Sequence, residues 1–377
     1  MVNFVRYGSI EDVGEQHWQA LQQNSQLFSS YAFINALAET GCIGRDSGWE
    51  PAPLTIRENG NYQTLIPAYI KQHSYGEYVF DWSWAEAYQR YGLPYYPKLL
   101  IAAPFTPVPG PRIFGDQACL PELPAMLSSL CHDDGLSGWH LNFTDDVTAQ
   151  IISDAGMGSV HRRTGVQFHW HNRDYQSFDH YLSHFVSRKR KAVLKERRSI
   201  VEQNIHLERL TGVQIEPQHI RYFFQCYANT YRQRRSVPYL NEAFFQKLAS
   251  IMNDQMLLIM ATYQGQPIAA ALCFFDETTL YGRYWGATTD VSALHFEACY
   301  YQGIEFCIER GLQTFNPGTQ GEHKIARGFE PVLTHSLHWL VHEGFNDAVG
   351  AFVAEETPQV LHYRDQAASL LPFHREG

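Results

Sequence analysis

The spacing of apolar and polar residues predicts the first elements of the chain. Residues 28–41 place apolar side chains at helical spacing between a serine pair and a terminal glycine, and therefore predict a helix. Residues 53–71 alternate apolar and polar positions on both sides of Asn59-Gly60, which is a strong signal for a tight β-hairpin. We expect a helix followed by a strand pair.

The same order of elements recurs along the chain. Further helices are predicted at 121–135, 146–156, 241–252 and 295–311, and further strands at 138–144, 166–172, 256–286, 312–318 and 331–340. Because helix, hairpin, helix and strand follow one another twice, we expect an α+β fold of two similar domains, 1–172 and 173–377. Each should contain a mixed, mainly antiparallel sheet flanked by helices.

Composition and charge restrict the class of protein. A hydrophobic fraction of 45% with 18% charged residues excludes a disordered chain. The formal charge of −10 disfavours a whole-protein attraction to nucleic acid or anionic lipid, so any such contact must be local. The seven cysteines lack C-x-x-C spacing, and no segment is apolar enough to span a membrane, which together predict a cytoplasmic protein with reduced thiols.

One segment is strongly basic. Residues 187–198, SRKRKAVLKERR, contain seven Lys and Arg residues and one acid. One interpretation is the solvated face of an amphipathic helix that turns Phe185, Val193 and Ile200 inward. The other is a local positive site that holds phosphates, which is unusual in a chain of negative charge.

A polar loop follows the strand predicted at 312–318. Glu322 and His323 are candidate bases, Lys324 and Arg327 are candidate anion or oxyanion partners, and Gln320 is a candidate substrate contact. Residues of these types can accept a proton or hold a negative charge that develops during a reaction. The alternative is a surface loop held by an internal ion pair.

Two other segments combine charged and aromatic residues. Residues 73–88 suit a pocket for a cationic or amino-bearing ligand, or an aromatic core whose acids cap helices; the candidate contacts are Tyr75, Glu77, Asp81, Trp82, Trp84 and Glu86. A second polar wall is predicted from Arg283, Trp285, His295 and Glu297, with a structural Arg–Glu pair as the alternative. No metal-ligand set, P-loop, dinucleotide fingerprint or nucleophile elbow is present.

Four idiosyncratic groups of residues resemble one bacterial family over nearly the whole chain. They are 73–100 with 104–112, 162–170 with 187–198, 280–287 with 295–306, and 318–329. The family is the Fem-like "peptidoglycan biosynthesis/recognition" group of the GNAT acyltransferase superfamily. The resemblance implies two GNAT-like domains, and the pattern Ser187, Lys189, Arg190 implies that Lys189 and Arg190 bind the donor phosphates.

The resemblance also implies an activity. The expected reaction moves an acyl or aminoacyl group from a phosphate-bearing donor, either aminoacyl-tRNA or acyl-CoA, to a small-molecule or peptide amine by direct attack. No tightly bound cofactor is expected, and tRNA is a possible partner. Residues 286–301 lack the glycine-rich pyrophosphate loop of other GNAT enzymes. That departure favours the alternative, a non-catalytic module that recognises a cell-wall peptide or an amino-bearing metabolite.

Overall fold

The computed structural model describes residues 2–23, 26–319 and 321–374. The strands up to residue 171 are β1 Val2–Arg6, β2 Trp49–Pro51, β3 Leu54–Glu58, β4 Asn61–Ile66, β5 Ala68–Lys71, β6 Lys98–Ile101, β7 Phe114–Gly115, β8 Gly138–Thr144 and β9 His161–His171. The helices in this part are α1 Glu15–Gln22, α2 Tyr31–Glu39, α3 Trp82–Arg90, α4 Leu123–Asp133 and α5 Asp146–Ala155.

The remaining elements follow in the second part of the chain. Its strands are β10 Ile205–Thr211, β11 Met256–Tyr263, β12 Gln266–Phe275, β13 Thr279–Ala287, β14 Thr314–Asn316 and β15 Glu330–Leu340. Its helices are α6 Phe178–Ser183, α7 Ser187–Glu202, α8 Pro217–Gln233, α9 Glu242–Ile251, α10 Leu294–Phe296, α11 Gln302–Arg310 and α12 Glu343–Ser369. A π-helical turn, Glu297–Tyr301, joins α10 to α11, and a 3₁₀ helix spans Glu322–Arg327.

The described residues form two compact units. Unit 1 comprises 2–166 with 333–362, and unit 2 comprises 167–332 with 363–374. The chain passes into unit 2 within β9 and returns to unit 1 within β15. The units are therefore not the contiguous segments 1–172 and 173–377, because the later part of β15 and most of α12 belong to the first unit.

Unit 1 contains two sheets. One has the order β1-β3-β4-β7, and the other runs β15-β8-β6-β5-β2 with a single parallel pair, β6 and β8. The predicted hairpin is confirmed: Glu58 pairs with Asn61, and Asn59 and Gly60 both have positive φ, as a two-residue turn between twisted strands requires. Apolar residues of β5, β6 and β8 pack with α4 and α5 in one buried cluster.

Unit 2 is built on one sheet with the order β10-β11-β12-β13-β14-β9. Only β13 and β14 run parallel within it, joined by the continuous helical segment 294–310. Both units thus contain a mainly antiparallel sheet, one parallel pair joined through a helix, and flanking helices. The predicted α+β fold class is confirmed.

Helices cover both faces of the sheet in unit 2. The ring of Tyr284 contacts Phe223 of α8 and Phe245 of α9, whereas the ring of the next residue, Trp285, contacts His295 in the segment 294–310. Consecutive strand residues point to opposite faces, so α8 and α9 lie on one face and the segment 294–310 on the other. Gly286 allows α8 to approach closely, because a Cβ there would lie 1.9 Å from a carbonyl oxygen of that helix.

Candidate active site

The predicted polar loop lies at the carboxyl end of the parallel pair in unit 2. The pairing of β13 with β14 ends at Tyr281 opposite Asn316, while β13 alone continues to Ala287. An extra residue, Arg283, forms a β-bulge in β13 at this point. The carboxyl ends of parallel strands are a usual place for ligands, and the loop that follows β14 therefore lies where chemistry is expected.

Lys324 is the most deeply buried member of the loop. Its side chain is nearly inaccessible, and its ammonium donates hydrogen bonds to the carbonyl oxygens of Gly318, at 2.7 Å, and Thr319, at 3.2 Å. Burial lowers the pKa of Lys324 to about 7. The amine can therefore gain or lose a proton near neutral pH, which suits either an anion contact or proton transfer.

The two candidate bases lie at the surface. The Nε2 atom of His323 lies 2.7 Å from the hydroxyl of Tyr300, in the π-helical turn. Burial and the charges of Lys324 and Arg327 lower the pKa of His323, so its imidazole is neutral at pH 7. Glu322 accepts a hydrogen bond of 3.0 Å from the hydroxyl of Tyr363. The neutral imidazole gives His323 the form that a general base requires.

Arg327 joins the loop to two other elements. Its Nη2 atom lies 2.6 Å from a carboxylate oxygen of Glu196 on α7, and its Nε atom donates to the hydroxyl of Tyr301 at 3.0 Å. Its guanidinium carbon lies 3.5 Å from the ring centroid of Phe296. Arg327 is therefore already paired with a carboxylate, which reduces the charge it can offer to a ligand.

A cavity of about 340 Å³ opens beside this arginine. It is lined by Arg188, Lys189, Ala192, Val193, Glu196, Tyr301, Ala326 and Arg327. Among the described residues no carboxylate pairs with Arg188 or Lys189, which lie in the first turn of α7. The backbone N–H groups of a helix N-terminus also favour an anion. Of the two predicted donor-phosphate residues, Lys189 lines this cavity and Arg190 is not among the lining residues, whereas Arg188 is.

The predicted wall around Arg283 is arranged differently. The carboxylate of Glu297 accepts two hydrogen bonds from Arg197, at 3.0 and 3.2 Å, and is bound by this arginine rather than by Arg283. His295 does lie close to the loop, because its ring centroid is 5.5 Å from that of Trp285 and 5.9 Å from that of His323. Burial lowers the pKa of His295 to about 4. The Arg–Glu pair that was the alternative interpretation is present, but it is formed by Arg197 and Glu297.

In unit 1, Glu77 and Asp81, which the sequence predicts to contact a cationic ligand, bind the ammonium of Lys98. The Nζ atom of Lys98 lies 2.9 Å from Glu77 and 2.5 Å from Asp81, with all three side chains almost fully buried. Burial raises the pKa of Glu77 to about 7, whereas at Asp81 the Lys98 ammonium outweighs the effect of burial and lowers the pKa to about 2. These acids hold Lys98 instead of facing an open pocket.

The other predicted contacts in unit 1 are divided between surface and core. Tyr75 and Trp82 are exposed, with ring centroids 5.0 Å apart, and Glu86 is exposed beside Arg90. Trp84 is buried against the rings of His140 and His338. The structure therefore does not gather the predicted aromatic and acidic residues into one pocket.

Several site residues were not predicted from the sequence. They are Arg188, Glu196, Arg197, Tyr300 and Tyr301 in unit 2, and Lys98, His140 and His338 in unit 1. The signal for Lys98 was a single lysine in an apolar run. Arg188, Glu196 and Arg197 lie in the basic segment 187–198, which the sequence did mark as unusual without showing which of its residues line a cavity. Gln320 lies outside the described residues. No group of three or more potential metal ligands occurs in the described part.

Comparison with known proteins identifies the family. The sequence model of the FemAB-like family, described as peptidoglycan biosynthesis/recognition, matches residues 9–375. The chain belongs to the FemAB-like family. A search among curated proteins found no match. Across the described residues, no helix has the length and apolar character needed to cross a bilayer.

Solved structures confirm the fold predicted from the Fem and GNAT resemblance. The crystal structure of FemX matches with a TM-score of 0.54 at 10% identity, covering 92% of this chain and all of that one. A conserved protein of unknown function from Bacteroides thetaiotaomicron gives the same score and identity, covering 90% and 100% of the two chains. The C-terminal domain of a putative lysylphosphatidylglycerol synthetase from Agrobacterium fabrum gives 0.50 at 10% identity, covering 78% and 85%.

Proposed function

We propose that this FemAB-like protein is an acyl- or aminoacyl-transferase that uses a phosphate-bearing donor and an amine acceptor. The observation that carries the proposal is the cavity of about 340 Å³ at the start of α7, beside the loop with His323 and Lys324. A site for phosphates and a set of groups able to move a proton are the two parts that such a reaction needs.

The cavity suits phosphate for electrostatic reasons. Arg188, Lys189 and Arg327 contribute three positive charges to its lining, and Glu196 contributes one negative charge that Arg327 already neutralises. The remaining charge belongs to Arg188 and Lys189, in the first turn of a helix whose dipole has the same sign. In a chain of net charge −10, such a local site would bind a phosphate that the rest of the surface repels.

The adjacent loop supplies the chemistry. During direct attack, the acceptor amine forms a bond to the donor carbonyl carbon, the amine loses a proton, and the donor oxygen or sulfur leaves with the bonding electrons. Neutral His323 can accept that proton, and Lys324 can stabilise the negative charge that develops on the carbonyl oxygen. Glu322, hydrogen-bonded to Tyr363, is the second candidate base. Acyl-CoA and aminoacyl-tRNA both provide the required phosphates.

Binding of inorganic pyrophosphate tests the donor site. Arg188→Ala with Lys189→Ala should weaken binding at least about tenfold, because a hydrogen bond to a charged group contributes about 1.5–3 kcal/mol. Lys191→Ala with Lys195→Ala removes the same charge from exposed positions of α7 outside the cavity lining, and should change affinity less than about threefold. Equal losses in the two double variants, or no loss in either, would refute the donor site.

Transfer of the acyl group separates the enzyme from the recognition module that the family description also allows. Acetyl-CoA and aminoacyl-tRNA should be compared as donors with a peptide amine as acceptor. Amide formation by the wild type supports the enzyme. Pyrophosphate binding without transfer from either donor would favour recognition.

A further inference from the structure

A second basic surface lies in unit 2, apart from α7. The segment 229–239, NTYRQRRSVPY, comprises the end of α8 and the loop after it, and contains Arg232, Arg234 and Arg235 and no acidic residue. All three arginines are exposed, and among the described residues none pairs with a carboxylate. Three unpaired arginines within four residues are an unusual feature in a chain with ten more acidic than basic side chains.

The loop has a defined conformation. The backbone N–H groups of Arg234 and Ser236 donate to the carbonyl oxygen of Tyr231 at 2.9 and 3.0 Å, and that of Arg235 donates to Arg232 at 3.0 Å. The ring of Tyr239 packs on that of Tyr231 with a centroid distance of 5.8 Å. Because the backbone is already held in this way, little backbone conformational entropy is lost when a ligand binds.

Hydrogen bonds fix the end of α8, from which the loop emerges, to the end of β13. The side chain of Asn229 donates to the carbonyl oxygen of Ala287 at 2.8 Å, and the hydroxyl of Thr230 donates to that of Trp285 at 3.1 Å. Trp285 contacts His295, whose ring in turn contacts His323. The basic loop therefore emerges at the same end of the parallel pair as the candidate base.

The two basic surfaces lie on opposite faces of the sheet. The segment 229–239 begins in α8, which packs on the face of Tyr284. The cavity at α7 includes Tyr301 of the helical segment 294–310, which packs on the face of Trp285. A donor phosphate in the cavity would therefore not reach the loop without passing the edge of β13. The loop is available to a different anion.

We propose that Arg232, Arg234 and Arg235 bind an anionic group, a carboxylate or a phosphate, of the amine acceptor. This inference rests on the proposed transfer and specifies the acceptor as a molecule that carries both an amine and a negative charge. The planar guanidinium group can bind either anion through two parallel hydrogen bonds, which gives direction as well as attraction. Acceptor and donor would then approach from the two faces of the sheet and meet where β13 and β14 part.

Three small amines test this proposal by calorimetric titration. O-phosphoethanolamine carries a phosphate, triglycine carries a carboxylate, and triglycinamide carries neither. Wild-type protein should bind at least one of the two anionic amines about tenfold more tightly than triglycinamide, and this preference should fall as salt rises. The amine with the larger preference shows whether the anionic group of the acceptor is a phosphate or a carboxylate. Equal affinity for all three would overturn the proposal.

Two double variants locate the preference. Arg232→Ala with Arg234→Ala should remove it and leaves Arg235, whose φ is positive, untouched. Arg45→Ala with Arg198→Ala removes the same charge from other exposed positions and should preserve it. Circular dichroism should show an unchanged fold, because all four side chains are exposed. A preference that survives in the first variant would overturn the proposal.

The donor-site variant separates this inference from the proposed function. If Arg188→Ala with Lys189→Ala abolishes the preference, the anion binds in the α7 cavity and the inference is wrong, while the donor site remains supported. If the same variant leaves pyrophosphate binding unchanged and the preference still depends on Arg232 and Arg234, the proposed donor site fails and the second anion site stands.

Discussion

Removal of the buried Lys98 ammonium should destabilise unit 1 strongly. Lys98→Met would leave Asp81 without its cation and Glu77 with only the more distant Lys71, at 4.0 Å. The side chains of Lys98, Glu77 and Asp81 are 0%, 1% and 3% exposed. Breaking a buried ion pair by removing one partner typically costs about 3–5 kcal/mol. For a unit of this size that corresponds to a fall in Tm of roughly 6–20 °C.

The cost should depend on pH in a defined direction. Without Lys98, the pKa values of both acids rise in the folded variant, whereas the unfolded chain keeps carboxyl pKa values of about 4. Above about pH 4 the folded variant therefore binds protons that the unfolded chain has lost, and its stability falls as pH rises. The destabilisation should therefore be largest at pH 7.5 and smaller at pH 5, where the buried acids can be neutral. Urea unfolding followed by tryptophan fluorescence at both pH values measures this difference.

Two variants make the Lys98 result specific. Lys195→Met removes an exposed lysine and should change stability by less than about 0.5 kcal/mol. Lys98→Met with Glu77→Gln and Asp81→Asn removes both carboxylates together with the Lys98 ammonium and should recover part of the loss. The buried Lys71, 4.0 Å from Glu77, remains, but burial lowers its pKa to about 6, so it can be neutral at pH 7.5. A cost below about 1 kcal/mol for Lys98→Met, or a cost independent of pH, would refute the buried ion-pair account.

Three further predictions follow from the site geometry. Arg197 binds α7, which lines the cavity, to Glu297 and Glu305 of the segment 294–310, and a lysine cannot bridge both carboxylates as the guanidinium does. Arg197→Lys should therefore impair pyrophosphate binding more than Arg198→Lys; equal effects in titration would contradict this. Burial lowers the pKa of His140 to about 3, so wild-type stability should fall as pH drops below about 6.5, and His140→Gln should reduce that slope in urea unfolding. Lys324→Met should flatten the rise in stability between about pH 7 and 10 that a lysine with a lowered pKa causes; an unchanged slope would show that the ammonium is not desolvated.

Sequence patterns predicted elements well where burial was periodic. The strand predicted at 138–144 corresponds to β8 residue for residue, and the helix predicted at 295–311 corresponds to the segment 294–310. The long helix α12 was not predicted, because its sequence has little amphipathic period and contains Pro358. The discontinuous units were also not predicted, since spacing along the chain does not show that β15 returns to unit 1.

The site was predictable only in part. The polar loop could be found because four kinds of polar residue follow a buried strand. The contacts of Glu196 with Tyr301 and Arg327 could not be predicted, because these residues lie 105 and 131 positions from Glu196 in sequence. The π-helical turn adds a further obstacle, since it departs from the 3.6-residue period and places Tyr300 against His323 and Tyr301 against Arg327.

Single-turnover transfer is the most direct test of the central claim. Labelled donor, whichever of acyl-CoA or aminoacyl-tRNA binds, is mixed with excess enzyme and an amine acceptor, and amide formation is followed by mass spectrometry. The account predicts turnover by the wild type and a loss of about a hundredfold or more in His323→Asn or Glu322→Gln, with donor affinity nearly unchanged. Full turnover in both variants, on a donor whose transfer is established, would contradict the assignment of the base to this loop.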